Sequence, residues 1–179
     1  NDYLNCQWQK ARAQFDRENI QVYGLRVVEP HHDGTPHWHL MLFMPPHHSE
    51  RVTQILSHYA LEHDGNEQGA LKSRFKAEKI CTEKGSAQAY IAKYVCKNID
   101  GEYLDEDKYG NDAKTAASKI TAWASLYNIR QFQFFGLPSV SLWRQLRKIY
   151  GEAEDHELNK LRIAADSSDW LSYLLLMGG

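Results

Sequence analysis

Between Ile20 and Met44 two apolar runs flank a stretch of turn-forming residues. The first, Ile20 to Glu29, reads Ile-Gln-Val-Tyr-Gly-Leu-Arg-Val-Val-Glu, β-branched and aromatic as strands are. The second, His37 to Met44, reads His-Trp-His-Leu-Met-Leu-Phe-Met. Pro30 stops the first run, because proline gives no hydrogen bond to a ladder, and Pro45-Pro46 closes the second. His31-His32-Asp33-Gly34-Thr35-Pro36 lies between them, with Asp-Gly as its turn signal. The pattern predicts an antiparallel hairpin. Side chains alternate faces along a strand, so His37 and His39 point the same way, about 6.6 Å apart. Trp38 points to the opposite face, toward a core. Glu29 ends the first strand, and the short turn brings its carboxylate beside the two imidazoles.

Two imidazoles and one carboxylate suit Mg²⁺, Mn²⁺ or Zn²⁺ with coordination positions left open, as in a site that acts on something. His-x-His alone is also what two strand-end histidines facing one side would give. His31, His32, His47 and His48 flank proline turns and are weaker ligand candidates. His58, His63 and His156 read as surface or helix histidines.

Downstream, Ala89-Tyr90-Ile91-Ala92-Lys93-Tyr94-Val95-Cys96-Lys97-Asn98 carries two phenols four residues apart. Four residues of helix make about 400° of rotation and about 6 Å of rise, so both hydroxyls leave one face. Lys93 and Lys97 form a second such pair on an adjacent stripe. By spacing alone the tyrosines read sooner as an amphipathic core stripe. Beside an open metal site they suggest a reaction. A phenol is a poor nucleophile while protonated. A divalent ion on a phosphate oxygen makes phosphorus more electrophilic, and Lys93 is placed to stabilise a phenolate or the phosphate. Attack would leave a covalent phosphotyrosine.

Charge excludes little: the net value of −2 gives no global polyanion signal. Its distribution says more. Lys72, Arg74, Lys76, Lys79, Lys84, Lys93 and Lys97 face only Glu78 and Glu83 in the middle of the chain, and an acidic stretch runs from Glu102 to Asp112. Lys72, Arg74, Lys76, Lys84 and Lys97, with Arg144 and Lys148 further on, are candidate phosphate contacts, which would make binding salt-sensitive. There is no apolar run of membrane-spanning length. The cysteines Cys6, Cys81 and Cys96 are odd in number without Cys-x-x-Cys spacing, which points to a reducing, cytoplasmic setting. The start, Asn1-Asp2-Tyr3, is no signal peptide and lacks an initiator methionine, as expected of a piece of a longer chain.

Periodicity predicts helices over 2–18, over 50–63 with Ser49 as N-cap, over 87–98 with Ser86 as N-cap, over 114–128 and over 138–150, then two short ones between 152 and 177. Alternation over 74–82 predicts a third strand, and 129–135 a last one. The expected class is α+β: a small antiparallel sheet packed on one face by helices, a catalytic domain over 1–136 and a helical extension over 137–179 packed on it.

Glu29, His37-Trp38-His39 and Tyr90-x3-Tyr94 resemble the motifs of the HUH endonucleases. More narrowly, V-V-E-P-H-H-D-G-T-P-H-W-H-L-M-L-F (27–43), Y-I-A-K-Y-V-C-K-N (90–98) and R-Q-F-Q-F-F-G-L-P-S-V-S-L-W-R-Q-L-R (130–147) resemble segments of the replication gene A proteins of P2-like phages. The resemblance implies a rolling-circle initiator with an RRM-like sheet. Such an enzyme nicks single-stranded DNA at an origin with Mg²⁺ or Mn²⁺, stays joined to the 5′ phosphate through tyrosine and frees a 3′ hydroxyl. It further implies action as a monomer in the bacterial cytoplasm, with a host replication helicase as partner. The family's upstream strand motif has no counterpart here, so an N-terminal strand is expected to be missing.

Two other readings compete. A cupin-type metal site wants a glutamate four or five residues after the second histidine, where Phe43 and Met44 stand. A non-catalytic RRM-like module would stack bases on Tyr23, Phe43 and Phe75, which leaves Glu29, His37 and His39 unexplained.

Overall fold

The hairpin sets the frame. In a computed structural model, which describes residues 1–80, 86–99 and 112–178, β1 (Tyr23–Pro30) pairs antiparallel with β2 (Pro36–Phe43). Tyr23 faces Phe43, Val27 faces His39 and Glu29 faces His37. At the turn Gly34 adopts φ 82°, a left-handed value that glycine takes without steric cost. The Gly34 N–H donates to the His31 carbonyl (2.9 Å), and the Thr35 N–H to Asp33 Oδ1 (2.9 Å). Trp123 Nε1 donates to the Gly34 carbonyl at 3.1 Å and so ties the turn to a later helix.

The remaining elements follow in order: α1 (Asp2–Arg17) before the hairpin, then α2 (Ser49–Ala60), α3 (Ala70–Ser73), α4 (Ala87–Ile99), α5 (Ala113–Leu126), β3 (Phe132–Phe135), α6 (Val140–Leu146), α7 (His156–Asp166) and α8 (Trp170–Leu176). Strand order in the sheet is β2-β1-β3, so β1 is central and almost wholly buried. The class is α+β, as expected.

Alternation divides β1 and β2 between two cores. Leu25, Val27 and Met41 meet Ile91 and Tyr94 of α4 on one face. On the other, Leu42 joins Ala11 and Phe15 of α1 and Val52 and Ile55 of α2, while Val28 and Trp38 pack with Trp123 and Ala124 of α5. Trp38 thus lies on the expected face, with its Nε1 donating to Asn1 Oδ1 and the Arg26 guanidinium 4.1 Å over its ring. Helices cover both faces rather than one, because apolar residues occupy both parities of β1.

The strand expected over 74–82 is not one across 74–80, and 81–85 lie outside the described residues. Lysines and glutamate alternate with Ala77 and Ile80 there, so neither face is apolar enough to bury, and only Phe75 is half-buried. β3 takes the free edge of β1 instead, with the Val28 N–H on the Gln131 carbonyl at 2.8 Å. Ser49 opens α2 as its first residue and makes no side-chain cap; the N-cap position is His48. Ser86 does cap α4, its Oγ accepting from the Ala89 N–H at 3.1 Å. The expected acidic loop lies outside the described residues except Asp112, which caps α5 by accepting from the Thr115 N–H.

The chain divides into two compact units, Asn1–Phe134 and Phe135–Gly179. The second holds α6, α7 and α8 around Leu146, Ala164, Ala165 and Tyr173. Ser139, Asp155 and Asp169 cap its three helices, and the Tyr173 hydroxyl donates to the Ser139 carbonyl at 2.9 Å. No helix among the described residues is long and apolar enough to cross a membrane.

Candidate active site

The hairpin register brings Glu29 and His39 together. Glu29 comes from the central strand and is 6 % exposed, and its Oε2 lies 3.1 Å from His39 Nε2. His39 Nδ1 lies 3.1 Å from the Tyr94 hydroxyl, and that hydroxyl 3.5 Å from the hydroxyl of Tyr90. Carboxylate, imidazole and two phenols form one chain of polar contacts across strand and helix. The helix delivers its phenols because Ile91 and Tyr94 share the stripe that packs on the sheet. Tyr94 is consequently half-buried and Tyr90 exposed. The His37 ring stands edge-on to His39 and is also packed by His31, each at 4.6 Å between centroids.

A carboxylate only accepts hydrogen bonds, so in the neutral ring Glu29 favours the proton on His39 Nε2. Nδ1 is then an acceptor, and the Tyr94 O–H donates to it. With Nε2 engaged by a cation instead, Nδ1 carries the proton and donates to the phenol oxygen. Burial foremost, then the hydrogen bond with Tyr90, the Tyr90 charge and the charge of Glu29, hold the Tyr94 phenol above the usual value of 10.0. Its surroundings disfavour negative charge and would gain from a cation.

The donor set fits a divalent ion. Two cis ligands of an octahedral ion, each about 2.1 Å from it, are about 3 Å apart, and Glu29 Oε2 and His39 Nε2 stand at 3.1 Å. His37 stands directly opposite Glu29 in the register, its ring edge-on to that of His39. Among the described residues no three His, Cys, Asp or Glu side chains already surround one point.

Lys93 is exposed on α4. Of the basic candidates, Lys72 is exposed on α3; Arg74 donates to Glu67 at 2.6 Å and to the His63 carbonyl; Lys76 pairs with Glu78 at 2.5 Å. The Lys76 segment also runs near the phenols, since Tyr90 helps raise Lys76 and Glu78 helps raise Tyr94. Lys84 and the Lys97 side chain lie outside the described residues, and Arg144 and Lys148 are exposed in the second unit. Tyr23 and Phe43 stack on one another (5.3 Å, 14°) at the open end of the hairpin.

One residue escaped the sequence reading. Asn98 is fully buried, and its Nδ2 donates to Glu29 Oε1 at 2.6 Å and to the Tyr94 carbonyl at 2.8 Å. The available signal was its place four residues after Tyr94, on the same helix stripe.

Residues 1–102 match the bacteriophage replication gene A protein (GPA) family. The chain belongs to this family. Across 99 % of its length it is 47 % identical to the replication protein of Haemophilus phage HP1 and 44 % identical to the replication gene A protein of Escherichia phage P2. Over the same share it is 36 % identical to a probable replication endonuclease from a prophage-like region of Salmonella paratyphi A. It spans 24 % of each of these three relatives. No solved structure matches. Within the family, the sequence that carries Glu29, His37, His39, Tyr90, Tyr94 and Asn98 falls inside the matched region.

Proposed function

We propose that this family member is the strand-cleaving portion of a replication initiator of HUH type: a metal-dependent endonuclease and strand transferase acting on single-stranded DNA at an origin. The observation that carries this reading is the unbroken chain Glu29–His39–Tyr94–Tyr90, with links of 3.1, 3.1 and 3.5 Å. A core tyrosine stripe would not need a buried carboxylate and an imidazole at its hydroxyl. The relatives named as replication proteins and a replication endonuclease support the same class.

Glu29, His37 and His39 would hold Mg²⁺ or Mn²⁺, which when bound polarises the phosphate and neutralises developing charge. Tyr94 or Tyr90 attacks phosphorus through its Oη; the Oη–P bond forms as the P–O3′ bond breaks. With Nε2 on the cation, His39 Nδ1–H donates to the Tyr94 oxygen; the phenolic proton leaves to solvent, and the departing O3′ takes up a proton to become the free 3′ hydroxyl. The 5′ phosphate stays on the tyrosine. Because the ester conserves the bond energy, a later 3′ hydroxyl reverses the step. The second phenol, one turn away, serves the next cleavage. Lys93 is a cation on the same helix for the phosphate. A cavity of about 520 Å³ lined by Trp8, Tyr59 and Phe75 shares His37 with the candidate ligand set and offers aromatic surface to the bases of a bound strand. An RRM-like sheet, monomeric action in the bacterial cytoplasm and a host helicase partner complete the proposal.

The test is incubation with single-stranded origin DNA and Mn²⁺, followed by denaturing electrophoresis. A denaturation-resistant protein–DNA adduct is expected, and none should form with Tyr90→Phe/Tyr94→Phe. Absence of an adduct with the wild type would overturn the endonuclease reading. Binding without cleavage would favour the base-stacking module.

A further inference from the structure

Asn98 contributes nothing that packing alone requires. It is 0 % exposed, at a helix position where an aliphatic residue would bury more favourably. Its amide orientation follows from its neighbours: a carboxylate oxygen and a backbone carbonyl both accept, so Nδ2 and not Oδ1 must face them. Both Nδ2 protons are then used, one on Glu29 Oε1 and one on the Tyr94 carbonyl, while Oδ1 is buried with no hydrogen-bond partner among the described residues. An unpaired buried acceptor is costly, so the residue is held for its two donors.

Those donors join the two halves of the site. One oxygen of Glu29 is taken by Asn98, which leaves the other, Oε2, facing His39. The second donor grips the backbone of the residue that presents the phenol. We infer that Asn98 is a positioning residue: it fixes the rotation of the Glu29 carboxylate so that Oε2 faces His39, where a divalent cation would be held, and locks the tyrosine helix to that carboxylate. The inference rests on the metal-site reading above. Removal of groups that orient metal ligands typically lowers affinity by 10–100-fold.

The experiment measures Mn²⁺ affinity, by the electron paramagnetic resonance signal of the free ion, for wild type, Asn98→Ala and Asn98→Leu. Both substitutes are strong helix formers, and leucine keeps the branching of the side chain while removing both donors. An increase of about ten-fold or more in the Mn²⁺ dissociation constant is expected in both variants, while each still melts cooperatively. Wild-type affinity in a folded variant would overturn the role of Asn98 and leave the metal site standing. Failure of the wild type to bind Mn²⁺ would overturn both. Should neither variant fold, nuclear magnetic resonance of the wild type decides. The Asn98 side-chain amide protons are expected to shift when Mg²⁺ is added, because one of their acceptors is a ligand. Signals that do not move at saturating Mg²⁺ would overturn the inference.

Discussion

The Tyr94 hydroxyl lies 3.1 Å from Nδ1 of His39, a contact that joins residues 55 positions apart in the chain. His39 meets Glu29 through its other nitrogen at 3.1 Å. One imidazole therefore couples the Tyr94 phenol to the Glu29 carboxylate, and changes at either end should be felt at the other.

Removal of the metal should be readable without DNA. Mn²⁺ is expected to raise the melting temperature of the wild type, since a ligand that binds only the folded state stabilises it. His37→Ala/His39→Ala should show no such rise and should not nick, although it still binds DNA weakly. An equal Mn²⁺-induced rise in this variant, measured by circular dichroism, would rule out these ligands.

Tyr94 should titrate late. Its phenol is held above 10.0, chiefly by burial. The unfolded chain ionises first as pH rises, so this group contributes stability that is full below the unfolded value and is lost as pH climbs through the folded one. Tyr94→Phe should flatten the alkaline decline in stability above pH 10, measured as urea midpoints in metal-free buffer. A decline as steep as in the wild type would contradict the burial argument.

Glu18 joins α1 to α2. Its carboxylate accepts from Arg51 Nη2 at 2.6 Å and Nε at 2.7 Å, which lowers it from 4.5 to about 2, with the hydrogen bond from Arg51 as the largest cause. A depressed carboxylate stabilises the fold above the unfolded value and loses that contribution as pH falls from 4.5 toward about 2. Glu18→Gln should show a shallower loss of stability across that window. Added salt should shrink the difference, since the pair is exposed.

Val28 is 0 % exposed in the central strand. Val28→Ala removes two carbons from a packed site and should cost about 2–3 kcal/mol in chemical denaturation. A loss under about 0.5 kcal/mol, the range of exposed substitutions, would mean that this core is not packed as described.

Trp123→Phe should loosen the hairpin turn, because the indole N–H to the Gly34 carbonyl is lost. About 1 kcal/mol is expected. Amide exchange at Gly34 and Thr35 should accelerate, while exchange in the centre of β1 changes little.

The hairpin, its turn and the shared face of His37 and His39 were legible because they rest on local rules: period-two alternation, proline stops and Asp-Gly turn chemistry. The same holds for the tyrosine pair, whose spacing settles the face it shares on any helix. What lay beyond the sequence were relations between distant segments. Alternation over 74–82 looked like a strand, yet a strand needs an apolar face and a free edge, and β3 occupies the edge of β1. Coverage of both sheet faces depended on where α1, α2 and α4 docked. Asn98 was invisible for the same reason: its neighbours in sequence say nothing of Glu29, 69 positions away, and only packing of the helix on the sheet brings amide and carboxylate to 2.6 Å. The sequence by itself determined which side chains share a face. The tertiary structure decided which faces meet, because burial of the apolar stripes of α4 and β1 against each other sets the contacts that no local pattern encodes.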